Sequence, residues 1–350
     1  MRGKLPWRTR LMTMFLPAAD WDSSTPEQIV DARAAQRRVR RSPLITAVTG
    51  RPNPAARIST HPLELPGRRL QVRVYRPAAT QPPVPLVIAF HGGGFITGSP
   101  DQDDWLLAQL AAQCPAVVAS VDYRLAPEYP VPAQIHDAFD AVPALAEQAA
   151  RWGGDRNRIA LLGSDAGATL AALAAIRAAE RDWPVCAQVL INPQLDWSDQ
   201  AFAYPSCTQN ADSPTASPAQ LRAAARLAVP ESFDPQVISP LHCADIAGVA
   251  PALIQAAGLD PLADHSDAYA DRSSAAGTQV TLTRYPTAVH SFLTMPGACP
   301  AARDARAEIL RYLRTRLSAT GTGAAGAPQA RIPEGGNSPA TTRTNKEARG

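Results

Sequence analysis

The sequence predicts an α/β fold in which a mostly parallel sheet of about eight strands is flanked by helices. Three observations carry this expectation. Short, continuous apolar runs alternate with helix-like segments over residues 86–317. An alternating hairpin pattern stands ahead of them. The chain has 350 residues, 45% of them hydrophobic, which is enough to bury one large core, or one domain carrying an inserted cap.

The hairpin comes first. His61–Leu65, the turn Pro66-Gly67, and Leu70–Tyr75 read as two antiparallel strands around a tight connection. The apolar runs are Leu86–Phe90, Ala116–Val121, Ile159–Leu162, Val189–Ile191, Ala252–Ala257 and Val280–Tyr285. Helical patterns lie near Trp105–Gln113, Ala133–Ala150, Ala166–Ala179, Ala263–Ala276 and Ala302–Leu317. Strands alternating with helices imply right-handed crossovers and a parallel sheet covered on both faces. Residues 196–240 break the rhythm, being rich in Pro, Ser, Asp and Ala with one helical patch near Ala219–Leu227. They read as an insertion above the carboxyl ends of the strands. Residues 1–55 read as an N-terminal helical cap segment, 56–317 as the main domain, and 318–350 as a low-complexity tail. That tail lacks the apolar content to offset its ordering entropy and is expected to be disordered.

Charge is nearly balanced, with 34 Lys+Arg against 31 Asp+Glu, so no nucleic-acid partner is expected. The cluster Arg37, Arg38, Arg40 and Arg41 reads as a solvated helix face. The five cysteines (Cys114, Cys186, Cys207, Cys243 and Cys299) are widely spaced and contain no CxxC pair. Reduced thiols in a cytosol are the simpler reading than a disulfide framework or zinc site. Arg2, Lys4, Arg8 and Arg10 precede the run Leu11–Leu16, which is too short and broken for a signal sequence. An amphipathic helix over an active-site mouth fits it. No stretch has the ~18 apolar residues of a membrane span. A soluble, cytoplasmic protein is expected, and no metal or organic cofactor is implied. The oligomeric state is open, with a homodimer among the options.

Five motifs carry chemistry. His91-Gly92-Gly93-Gly94-Phe95 directly follows a buried run. Glycines there let the backbone turn sharply and aim bare N–H groups into a cavity, and Gly92 and Gly93 are the expected donors to an oxyanion. Tyr123-Arg124-Leu125-Ala126-Pro127-Glu128-Tyr129-Pro130-Val131-Pro132 follows the next strand. Gly163-Ser164-Asp165-Ala166-Gly167 joins the buried run Ile159–Leu162 to an Ala-rich helix. This is the layout of a nucleophile elbow, whose central residue points at substrate and whose next N–H, that of Ala166, joins the oxyanion hole. Asp260-Pro261-Leu262 and His290 follow the last two strands.

Taken together, these motifs make the chain similar to the hormone-sensitive-lipase-like esterases over about residues 56–315. That family carries HGGG-F, then YRLAPE-x-P-x-P, GDSAG, DPL and a late histidine, in this order. The resemblance implies the α/β-hydrolase fold with a small helical cap, and hydrolysis of small apolar, short-acyl esters by a Ser–Asp–His triad. Asp260 matches the family's acid and His290 its base. The elbow departs from the pattern: Asp165 stands where the nucleophilic serine should, and Ser164 stands one residue before it. The glycines at 163 and 167 set the register.

Three outcomes follow from that exchange. A degenerate hydrolase would hold His290 between the carboxylates of Asp165 and Asp260, raising its pKa and spoiling it as a base. Asp165 would also accept the oxyanion donors' hydrogen bonds. Alternatively, Asp165 is itself a nucleophile toward an alkyl carbon, an arrangement that resembles haloalkane dehalogenases and epoxide hydrolases. Trp105 or Tyr123 would then serve the leaving group. In the third, Ser164 acts as the alternative nucleophile through a rearranged elbow. A separate class is a non-catalytic small-ligand binding protein, and the resemblance includes plant hormone receptors of that kind. In every reading the partner is a small-molecule ester or apolar ligand.

Overall fold

The expected hairpin forms with longer arms. β1 (Ala56–Leu65) and β2 (Arg68–Pro77) pair antiparallel, with Leu63 opposite Leu70. β3 (Val84–Phe90), β4 (Val117–Asp122), β5 (Gly154–Ser164), β6 (Val185–Ile191), β7 (Ala252–Leu259) and β8 (Val280–Val289) follow. The helices are α1 (Trp7–Thr13), α2 (Pro26–Arg40), α3 (Thr46–Thr49), α4 (Asp104–Gln113) and α5 (Ala133–Gln148), then α6 (Ala166–Glu180), α7 (Pro205–Gln209), α8 (Pro218–Ala228), α9 (Ala263–Ala275) and α10 (Ala301–Ser318). This computed structural model describes residues 3–14, 24–40, 42, 45–79 and 81–318. Arg41, Phe15, Leu16 and the tail beyond Ser318 lie outside the described residues.

The strands form one eight-stranded sheet in the order β1-β2-β4-β3-β5-β6-β7-β8. Only β2 runs against its neighbours; from β4 to β8 every pairing is parallel. The fold is therefore the α/β-hydrolase arrangement with a mostly parallel sheet flanked by helices. β3 shows how the sequence produces it. All its residues are buried. Leu86, Ile88 and Phe90 pack on one face with Ile135 and Val142 of α5 and Leu170 of α6. Val87 and Ala89 pack on the other with Leu106 and Leu107 of α4 and Ile309 and Leu313 of α10. A strand buried on both faces needs an unbroken apolar run, since successive side chains point opposite ways. Each large side chain so buried contributes roughly 1.5–3 kcal/mol. The two edge strands tolerate proline, Pro62 in β1 and Pro286 in β8, because an edge has a side where no ladder N–H is required.

Polar anchors then fix the loops at the carboxyl ends. Asp137 of α5 is fully buried. It accepts from Arg68 Nε at 2.6 Å, from the Arg124 backbone N–H at 2.9 Å and from Arg124 Nη2 at 2.8 Å. Helix α2 docks through Arg33, whose Nε donates to Ile96 O at 2.6 Å, while Nη1 meets Glu128 at 2.8 Å and Nη2 reaches Ala126 O. One expectation about α2 needs correcting. Arg40 is not on a solvated face: its side chain is 20% exposed and turned toward Asp101, with Nη2 donating to Ser99 Oγ at 3.0 Å. Arg37 lies 3.6 Å from Asp122. Both found partners more than 50 positions away in the chain, which a local charge pattern does not show. Among the described residues, no helix is long and apolar enough to cross a membrane.

Replacing Asp137 by Asn leaves two guanidinium groups facing a neutral amide. The expected cost is about 3–5 kcal/mol, the range for breaking a buried pair by removing one partner, measured by denaturant unfolding. A loss within 0.5 kcal/mol, roughly what an ordinary surface substitution costs, would show that the anchor contributes little.

Candidate active site

The bend between β5 and α6 is set by crowding. A Cβ on Gly163 would lie 2.1 Å from Gly167 O, and one on Gly167 would lie 2.2 Å from Phe90 O. Only glycine allows the backbone so close on both sides of the turn. Between them Asp165 takes φ 52°, ψ −122°, a conformation costly to any residue with a side chain. It is held there by backbone bonds: Asp165 N–H donates to Ile191 O at 3.0 Å, and its carbonyl accepts from Ala168 N–H at 3.0 Å and Gln194 N–H at 3.2 Å.

That bend aims the Asp165 carboxylate at two other loops. Oδ2 accepts from the backbone N–H groups of Gly93 at 2.8 Å and Gly94 at 3.0 Å. Oδ1 lies 3.4 Å from His290 Nε2, an ion-pair distance, and has no hydrogen-bond partner. On the far side of the ring, His290 Nδ1 is 2.8 Å from Asp260 Oδ2. Asp260 Oδ1 accepts from Leu262 N–H at 2.9 Å. Asp165, Asp260 and His290 are 4%, 0% and 5% exposed.

The structure thus brings together Asp165, Asp260 and His290. The expected donor pair Gly92–Gly93 is shifted by one residue: the N–H groups that meet the carboxylate belong to Gly93 and Gly94. Gly92 instead supplies close approach, since a Cβ there would sit 3.0 Å from the Asp165 Cβ. Ala166 begins α6 directly after the bend. Ser164 ends β5, and it is Asp165, not Ser164, that lines the cavity with His290. Trp105 and Tyr123, the leaving-group donors considered above, lie elsewhere. Trp105 sits 3.8 Å beneath the Arg306 guanidinium. Tyr123 is buried, with its hydroxyl donating to His91 O at 2.6 Å.

The motif loops back one another. His91 stacks on Tyr123, ring centroids 4.2 Å apart. Burial pushes the His91 imidazole down to about 4, so it is a neutral strut behind the glycine loop. Phe95 stacks on Trp197 at 4.6 Å. Phe95 O also accepts from Ala126 N–H at 2.9 Å, so the Tyr123–Pro132 loop supports the glycine loop from behind. The 196–240 segment reaches the acid and base loops: Asn210 Nδ2 donates to Asp260 O at 2.9 Å and Thr215 Oγ1 to His290 O at 3.0 Å.

Above the carboxylate lies a cavity of about 780 Å³, within the usual range for a small-molecule site. Thr13 and Gln36 of the N-terminal helical region line it, with Ala216, Gln220, Leu221 and Ala224 in and before α8. Asp165 and His290 are its only charged or titratable lining residues among those described, and none of the lining residues is aromatic. Sequence reasoning did not single out Gly94 as a donor or these lining residues. One signal was present: Ser217-Pro218-Ala219-Gln220 is a capping box, with proline at the first helical position, that marks the start of α8.

Electrostatics follow from the geometry. Burial alone lowers an imidazole's pKa, but Asp260 and Asp165 on opposite sides outweigh it and raise His290 well above its ordinary value. Burial alone raises a carboxyl, but His290 and the Gly93 and Gly94 amides outweigh it and hold Asp165 below its ordinary value. The arrangement therefore favours the protonated ring of His290 and the ionised form of Asp165. The His290 contribution to stability is fully present below about pH 6.5, the unfolded value, and is lost as pH rises through the higher folded value. The Asp165 contribution is present above about pH 3.9 and is lost as pH falls through its lower folded value.

In an NMR titration, the His290 ring is expected to stay protonated through pH 7, and Asp165→Asn should shift its titration to lower pH. A ring that titrates near 6.5 in the native chain would contradict the paired site.

A family model described as alpha/beta hydrolase fold matches residues 87–294. The chain is 36% identical over 271 residues to the esterase LipI of Mycobacterium tuberculosis, covering 76% of this chain and 84% of that one. It is also 36% identical over 256 residues to the carboxylesterase NlhH of the same species, covering 71% and 79%. Among solved structures, an esterase of Pyrobaculum calidifontis superposes with a TM-score of 0.79 at 28% identity, covering 89% of this chain and 99% of that one.

Proposed function

The chain belongs to the alpha/beta hydrolase family, on its hormone-sensitive-lipase-like esterase branch, and from that premise we propose that it keeps a carboxylic ester hydrolase scaffold on which serine-type turnover is absent or strongly impaired. The observation that carries this reading is the Asp165 carboxylate in contact with the Gly93 and Gly94 amides and with His290. Asp165 holds the nucleophile position, His290 the base position and Asp260 the acid position. Gly93 and Gly94, continued by Ala166, form the oxyanion hole.

Two steps of ester cleavage are blocked at once. The base must accept a proton from the nucleophile, and an imidazolium cannot. The ester oxygen must gain two N–H bonds as negative charge develops on it, and both donors already serve a carboxylate. Removing a triad nucleophile cost on the order of a million-fold in turnover in a serine protease series, so the expected deficit is large. Attack by Asp165 on an acyl ester would give a reactive mixed anhydride. The alkyl chemistry of an elbow aspartate needs leaving-group donors, and neither Trp105 nor Tyr123 lines the cavity.

A second reading, small-ligand binding without turnover, is favoured by the intact cavity above the blocked carboxylate. Its occupant would be a small, largely apolar ester or a molecule of that shape. The five free thiols fit a reducing, cytoplasmic setting.

The test is the double exchange Ser164→Asp with Asp165→Ser, assayed on a short-chain nitrophenyl ester. It is expected to raise turnover by orders of magnitude, at least about 1,000-fold. Equal rates for the unaltered and exchanged chains would overturn the reading of the elbow.

A further inference from the structure

We propose that α1 is a docking site for an anionic lipid surface and that it holds the rim of the cavity close to that surface. Trp7 and Leu11 of α1, and Met14, which caps its carboxyl end, are 70%, 47% and 72% exposed. Their spacing of i, i+4 and i+7 places all three on one face of a helix. At 100° per residue, Arg8 and Arg10 fall on the two flanks of that face, and Thr9 falls opposite it. Thr9 is fully buried, with Oγ1 donating to Ala298 O at 2.8 Å. Just ahead of the helix, Gly3 N–H donates to Pro286 O at 2.9 Å. The helix is therefore pinned to the body by its polar back, with its apolar face turned outward.

The charge around that face selects the occupant. Residues 3–14 contain Lys4, Arg8 and Arg10 and no acidic residue. The Arg8 guanidinium lies 5.4 Å over the Trp7 ring. An indole seated at headgroup depth, an aliphatic and a thioether beside it, and cations on both flanks match an anionic bilayer surface. The cytoplasmic leaflet has that charge. A second copy of this chain would set two such cationic groups face to face, which disfavours self-association through α1.

Position gives the docking a consequence. Thr13, in the last turn of α1, lines the same cavity as Asp165 and His290. Thr13 falls beside Thr9 on the back of the helix, so seating Trp7, Leu11 and Met14 on a bilayer holds that rim one helix diameter, ~10 Å, from the lipid, where an apolar ligand leaving the membrane meets the cavity.

The test is co-sedimentation of the full chain with vesicles of phosphatidylcholine plus phosphatidylserine, compared with phosphatidylcholine alone. Binding to the anionic vesicles is expected to be saturable, at least about tenfold tighter than to the neutral ones, and weakened by salt. Two triple variants, Trp7→Ser/Leu11→Ser/Met14→Ser and Lys4→Gln/Arg8→Gln/Arg10→Gln, should each lose at least about tenfold in affinity while keeping the native circular dichroism spectrum. No binding to anionic vesicles, or equal binding by native and variant chains, overturns the proposal. So does a native dimer that the apolar triple variant converts to monomer, because the face would then be a self-interface. Binding is read without ester turnover, so failure here leaves the reading of Asp165 standing.

Discussion

A buried carboxylate, Asp165, stands between two backbone amides and an imidazole, and the electrostatics of the whole site depend on it. Asp165 accepts two backbone N–H bonds on one oxygen and faces an imidazole with the other. Asp165, Asp260 and His290 are each at most 5% exposed, and a charge on such a buried group would be prohibitively costly if it stood alone. Together they offset one another: the His290 ring lies between both carboxyl groups, and the Gly93 and Gly94 amide dipoles stabilise Asp165. A serine in the same place would remove one of the carboxylates that favour the imidazolium and free both amides for a substrate. A single side chain thus helps raise the pKa of a residue it does not adjoin in sequence.

The support around this site is that of a preorganised hydrolase. Crowding at Gly163 and Gly167 fixes the strained bend. His91 on Tyr123 and Phe95 on Trp197 stack behind the glycine loop. Asp137 clamps the Tyr123–Pro132 loop from below, and Arg33 ties α2 over it. These are the features that hold catalytic geometry rigid. Here they hold the Asp165 carboxylate against the Gly93 and Gly94 amides with the same rigidity.

Much of this was legible in the sequence, and the limits have physical causes. Strands buried on both faces are unbroken apolar runs, so Leu86–Phe90 and Ile159–Leu162 declared themselves. Strand ends did not: β8 runs on through Pro286 to Val289, because an edge strand tolerates a missing N–H and proline reads as a stop. The tight bend between β5 and α6 was readable because only glycine fits at 163 and 167. The donor pair was misplaced by one residue, since three successive glycines carry no side-chain pattern to say which amides point inward. Long-range polar contacts were invisible. Arg33 meets Ile96 and Glu128, and Arg40 meets Ser99, partners that a helical charge pattern cannot name.

Labelling with a fluorophosphonate, which captures serines activated by a neighbouring base, probes the elbow most directly. The native chain should take up no label, and the chain carrying Asp165→Ser together with Ser164→Asp should be labelled at residue 165, located by peptide mass spectrometry. Stoichiometric labelling of native Ser164 would mean that a hydroxyl, not the carboxylate, faces His290.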